Sequence, residues 1–160
     1  MRRLFCLLIV VVCLLSGCGN KEEASFFYRR GAFQYGTEDG VIVSEVRDVT
    51  GHATNLPFLI SLYLMGPLDK NYVSPFPSDV KLLYVSLMDD NLTVSLTDSS
   101  AMSESEYILA STCMALTCIE ITNAKTVTVT SADRSVVIDP ELLTLYDSMI
   151  PTKSTTGGEQ

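Results

Sequence analysis

Two stretches of the chain alternate strictly between apolar and polar positions. In the first, Leu92, Val94 and Leu96 alternate with Thr93, Ser95 and Thr97; the second is Lys125–Thr130, KTVTVT. A period of two puts the apolar set on one face of a strand and the hydroxyls on the other. The run Val80–Asp89 (VKLLYVSLMD) precedes the first stretch across Asp90-Asn91, which predicts a β-hairpin. Ser25–Arg30 and Val41–Val49 are rich in aromatic and β-branched residues and read as strands, joined by the turn-rich stretch Gly31–Gly40. Ser135–Ile138 reads as a last short strand after a turn at Asp133-Arg134.

Between the strands the spacing changes to three and four. Leu56–Met65 predicts a helix capped by Asn55, with Pro57 in the first turn, where its missing N–H costs nothing. Phe58, Leu59, Leu62 and Met65 form the expected apolar face; Gly66 and Pro67 end the helix. Pro67–Asp79 is irregular, but Tyr72 and Phe76 predict that it packs on the core. A second helix opens at Ser103, whose spacing to Glu106 is that of a capping box, with Met102 placed to staple onto Tyr107. Tyr107, Ala110, Met114, Thr117 and Ile121 give it one buried face, and it fades near Cys118–Thr122. Pro140–Tyr146 predicts a helical turn. The order β-β-α-β-β-α-β-β predicts an α+β domain, one mixed sheet with two main helices packed on it.

The first residues follow a different pattern. Arg2-Arg3 precede an unbroken apolar run of 12 residues, Leu4–Leu15, which ends in Leu15-Ser16-Gly17-Cys18. The run is short of the roughly 20 residues that span a bilayer. Basic start, apolar run, small pair and cysteine together resemble a bacterial lipobox. That resemblance implies cleavage before Cys18 and acylation of its thiol, which would anchor the protein on the outer face of the cytoplasmic membrane. The chain then divides into a signal (1–17), a polar tether (18–24), a folded domain (25–150) and a polar, disordered tail (151–160). Of five cysteines, Cys6 and Cys13 would leave with the signal, and only Cys113 and Cys118 could pair. Five residues apart on one helix, they point about 140° away from each other, a poor disulfide geometry. Two buried apolar side chains is the favoured reading, with a disulfide or metal role as the alternative.

The formal net charge is −8, from 11 basic and 19 acidic residues; without Arg2 and Arg3 it becomes 9 − 19 = −10. Beyond the signal the only adjacent basic pair is Arg29-Arg30, which argues against nucleic-acid binding. The same acidity gives no attraction to anionic headgroups, so the acyl chains would do the anchoring. Catalytic chemistry is sparse. The single histidine, His52, lies in a polar loop, Asp89-Asp90 fits a hairpin turn, and Glu104 and Glu106 fit the first turn of a helix. No catalytic residues, cofactor or metal are expected, and the chain reads as a non-enzyme.

An ordered set of segments resembles the GerMN domain of sporulation and spore germination proteins. The set is the strand SFFYRR, the strand Val41–Val49, the helix ending Leu64-Met65-Gly66-Pro67, the segment Phe76–Leu83, the hairpin Val85–Leu96, the second helix and the strand Thr126–Thr130. It covers about residues 25–135. Ser78-Asp79 stands where the family usually has Gly-Thr, Asp90-Asn91 where it has Asp-Gly, and Thr97-Asp98 where an Asp often follows the hairpin. The resemblance implies a non-enzymatic extracytoplasmic module, lipid-anchored through Cys18, that supports assembly of an envelope complex with protein partners. The alternative is a lipoprotein that binds a small ligand or a cell-wall polymer, with Pro67–Asp79 as the place to look for a pocket.

Overall fold

Residues 21–31 and 40–139 are described by a computed structural model. The signal, Cys18, the helical turn expected at 140–146 and the polar tail lie outside the described residues. Strand β1 (Glu23–Arg30) pairs antiparallel with β2 (Ile42–Asp48), from Glu23 opposite Asp48 to Arg29 opposite Ile42. It takes in the last two residues of the stretch that reads as tether, Glu23 and Ala24, and Glu22 before it is already bound: its carbonyl accepts from Val49 N–H and its carboxylate from Gly51 N–H. On its other side β1 pairs with the two-residue β3 (Tyr72–Val73), which emerges from the proline-rich segment. Phe76 is buried and Tyr72 half-buried, so that segment packs on the core as expected.

Helix α1 (Leu56–Leu64) starts where Asn55 Oδ1 accepts from Phe58 N–H and stops at Gly66, whose φ of 93° suits a residue without a side chain. The buried face is not the expected one. Leu59, Ile60, Tyr63 and Leu64 are inside, whereas Phe58 and Met65 are 39% and 82% exposed. LPFLISLYL is apolar around most of its circumference, so spacing alone could not choose a face. The aromatic stack of Tyr63 on Tyr28 and Phe26 accompanies the face that is buried.

Strands β4 (Leu82–Met88) and β5 (Asn91–Leu96) form the expected hairpin. The turn sits one residue earlier than read, at Asp89-Asp90, with Asp89 in the left-handed region at φ 54°. Asn91 instead pairs with Met88 as the first residue of β5. Helix α2 (Glu104–Thr122) opens with the capping box: Ser103 Oγ accepts from Glu106 N–H while the Glu106 carboxylate accepts from Ser103 N–H. It ends at Asn123, in the left-handed conformation. The helix returns the chain to the other end of the sheet, so β6 (Thr126–Ser131) runs parallel to β5. A turn at Ala132-Asp133 brings back β7 (Arg134–Ile138) antiparallel to β6.

The α+β class and the two packed helices stand. The strands, however, divide between two sheets, β2-β1-β3 and β4-β5-β6-β7, where the sequence reads as one. Helix α2 joins them. It contacts β6 and β7 of the larger sheet and β1 of the smaller, where Phe27 N–H donates to Thr117 Oγ1 at 2.9 Å. Leu92, Val94, Leu96, Val127 and Val129 are each at most 1% exposed on the inner face of the larger sheet.

One charged side chain is built into this core. Arg47 on β2 is 6% exposed, with its guanidinium 5.1 Å from the Phe26 ring centre and 5.3 Å from that of Tyr28. It donates to Glu45 at 2.5 Å, to the Gly66 carbonyl at 2.6 Å and more distantly to the Leu62 carbonyl at 3.4 Å. Leu62 lies in the last turn of α1 and Gly66 just beyond it, where carbonyls lack helical partners and a cation is favoured. Glu45 also accepts from the N–H groups of Leu68 and Asp69. Burial alone would raise the Glu45 pKa, but the hydrogen bonds from Asp69, Arg47 and Leu68 together hold it below the usual carboxylate range.

Replacing Arg47 with Met should cost about 3 kcal/mol in urea unfolding, since it leaves Glu45 and two carbonyls without their cation. The Lys125–Asp90 pair is exposed, so Lys125→Ala should leave the urea midpoint nearly unchanged. Glu45 also sets a pH dependence. Its folded pKa is depressed, so its stabilisation is complete above the ordinary carboxylate pKa and lost as pH falls through the lower folded value. Glu45→Gln should therefore flatten the acid limb of the stability curve; an unchanged limb would refute this role.

Candidate functional site

An edge strand offers a row of unpaired N–H and C=O groups, and proteins usually blunt such edges with charge, proline or brevity. Of the described edge strands, β2 carries Glu45, Arg47 and Asp48, β3 has only two residues, and β7 begins at Arg134. Strand β4 differs: LLYVSLM is seven residues with no charge and no proline. A register shift between Leu82 and Tyr84 is its one irregularity. No described strand pairs with its outer edge. Helix α1 contacts β4, yet Leu83, Tyr84, Leu87 and Met88 remain 63%, 55%, 46% and 72% exposed. Leu68, 77% exposed, and Met65 add apolar surface just beyond α1. This is a strand able to accept another strand, with apolar side chains to grip it.

The sequence contained the β4 run but not its exposure. A continuous apolar run ordinarily marks a strand covered on both faces, whereas this one sits at the margin of its sheet. The lack of alternation in LLYVSLM, beside the clean alternation of β5, was the available signal.

The residues with catalytic potential are not brought together. Cys113 and Cys118 are fully buried and free on α2, and burial pushes each thiol up to about 12, away from thiolate chemistry. They behave as small apolar side chains. His52 lies in an exposed turn, its ring stacked on Phe58 at 4.2 Å, and no hydrogen bond joins it to Cys113. Asp89 and Asp90 form the hairpin turn, and Asp90 receives Lys125 Nζ at 2.5 Å. Among the described residues no group of three metal-ligating side chains occurs.

The proline-rich segment borders an open cleft of about 250 Å³ lined by Arg29, Ser74, Phe76, Met102 and Glu106. Glu106 is already engaged there. The Ser103 hydroxyl, followed by the Ser103 N–H, lowers its pKa as part of the helix cap. A second cleft, about 350 Å³, lies at the start of β1 between Glu23, Val46, Glu120 and Ile121. Cys18, the expected lipidation site, is outside the described residues. What the structure fixes is the first strand residue after it, Glu23.

No family model and no curated protein matches the chain. Among solved structures, the chain is similar to a crystal structure of a "Putative Lipoprotein from Clostridium perfringens", at 17% identity and a TM-score of 0.45, covering 76% of this chain and 89% of that one.

Proposed function

We propose that this protein is a lipid-anchored extracytoplasmic module without enzymatic activity, similar to GerMN domains, that supports assembly of an envelope complex in sporulation or germination. Two features support this reading. The Leu15-Ser16-Gly17-Cys18 box stands five residues before β1, and five residues span at most about 17 Å. Anchored at Cys18, the domain would be held close against the outer face of the membrane. The observation that carries the assembly role is β4, a charge-free edge strand with four large apolar side chains exposed. A partner envelope protein would add a strand along β4, taking affinity from main-chain hydrogen bonds and selectivity from the alternate side chains.

The anchor is tested by feeding cells an alkyne-labelled fatty acid. The protein should carry the label and sediment with membranes, and Cys18→Ala should lose the label and become soluble. Label retained on the Cys18→Ala protein would sink the anchor assignment. The assembly role is tested with a photo-crosslinker introduced in place of Tyr84. It should give a discrete crosslinked species, weakened at least tenfold by Leu83→Lys with Leu87→Lys, at an unchanged unfolding midpoint. These leucines are exposed, so their replacement leaves the core intact. Equal crosslinking with and without the two lysines would refute β4 as the docking edge.

A further inference from the structure

The larger sheet has a second face, turned away from α2. Residue pairing defines it: Ser86, Thr93, Thr128 and Val137 form one rank across the four strands, and Tyr84, Ser95, Thr130 and Ser135 the next. Met88, Asn91 and Thr126 continue it at one end. The inner face of the same strands is hydrocarbon; the outer face carries seven serine and threonine hydroxyls, mostly half-buried, with Tyr84, Met88 and Val137 as its exposed larger side chains. No charged residue occupies any paired position on it, although 19% of the chain is charged. Two of its hydroxyls are engaged locally, Thr126 by the Asn91 side chain and Thr130 by the Val94 carbonyl at 3.5 Å. The hydroxyls of Ser86, Thr93, Ser95 and Thr128 have no hydrogen-bond partner among the described residues.

We infer that this face binds a neutral, linear glycan, the polyhydroxylated backbone of a polysaccharide. Every hydroxyl on it can both donate and accept, as can every hydroxyl of a sugar. Strands about 4.8 Å apart and side chains repeating about every 6.8 Å along them make a flat array of donors and acceptors. Tyr84, 55% exposed at one margin, offers a ring face to the C–H side of a sugar. The absence of charge matches a neutral polymer and leaves a polyanion nothing to pair with. Taken alone, the face is small for a stable protein interface. Four strands by three ranks cover roughly 200 Å², against about 800 Å² per partner in a standard protein–protein interface. The face borders the outer edge of β4 and shares Tyr84 and Met88 with it.

The test is a calorimetric titration of the full mature protein, kept soluble in a detergent without a sugar headgroup, with a hexamer of N-acetylglucosamine. Saturable binding is expected. Thr93→Lys, which puts a charge at the centre of the face, should weaken it at least tenfold, and Thr128→Val, close to isosteric, several-fold. Leu87→Lys on the β4 edge should leave it unchanged, and heparin should not bind. No saturable binding of the hexamer, or equal binding by the Thr93→Lys and Thr128→Val proteins, would overturn the proposal. So would dimerisation that Thr93→Lys abolishes, which would make a second copy the occupant. A ready disulfide between Thr128→Cys and Leu145→Cys would assign the face to the chain's own C-terminal segment and likewise overturn it.

Discussion

The buried Arg47 guanidinium holds together parts of the chain that otherwise have little in common. It lies against two rings of β1, pairs with Glu45 on its own strand, and satisfies carbonyls at the end of α1. Glu45 carries the connection onward to the backbone after Gly66-Pro67. A buried charge is expensive unless paired and hydrogen-bonded, so the arrangement tolerates little displacement. The direction in which the chain leaves α1, and with it the start of the proline-rich segment, is tied to β2 through one side chain.

This clamp also explains the face that α1 buries. Stacking of Tyr63 on Tyr28 at 5.0 Å, with Phe26 beyond, aligns the helix to the ring surface on which Arg47 rests. A helix apolar on most sides takes its orientation from its surroundings, and here those are aromatic and cationic. With α1 so placed, β4 contacts the helix while keeping its apolar side chains exposed, the geometry on which the docking proposal depends.

Much of the fold was legible wherever a local rule was strong. Alternation in Leu92–Leu96 and Thr126–Thr130, the Ser103–Glu106 capping box, the Asn55 cap and the Gly66 stop each describe a contact within a few residues, and each is found. What was not legible depends on distant partners. The division into two sheets turns on how α2 packs between β1 and β6. The burial of Arg47 turns on carbonyls 15 and 19 residues away. The β4 surface is hidden in the sequence because its uncharged run is the one expected of a covered, central strand. Of the expected sites, Cys18 rests on the sequence pattern alone, and the buried state of Cys113 and Cys118 was foreseen from their places on α2.

The single hydrogen bond from Phe27 N–H to Thr117 Oγ1 spans 90 residues. A chain is made from its N-terminus, so β1 exists long before the helix that completes its packing. Phe26 and Tyr28 can meet Arg47 and Tyr63 early, but the contact of β1 with α2 must wait until that helix has emerged. Non-local closure of this kind slows folding and leaves early strands open to wrong pairings. The first strand made is thus among the last to be sealed, and the period between is when this protein would most need a chaperone.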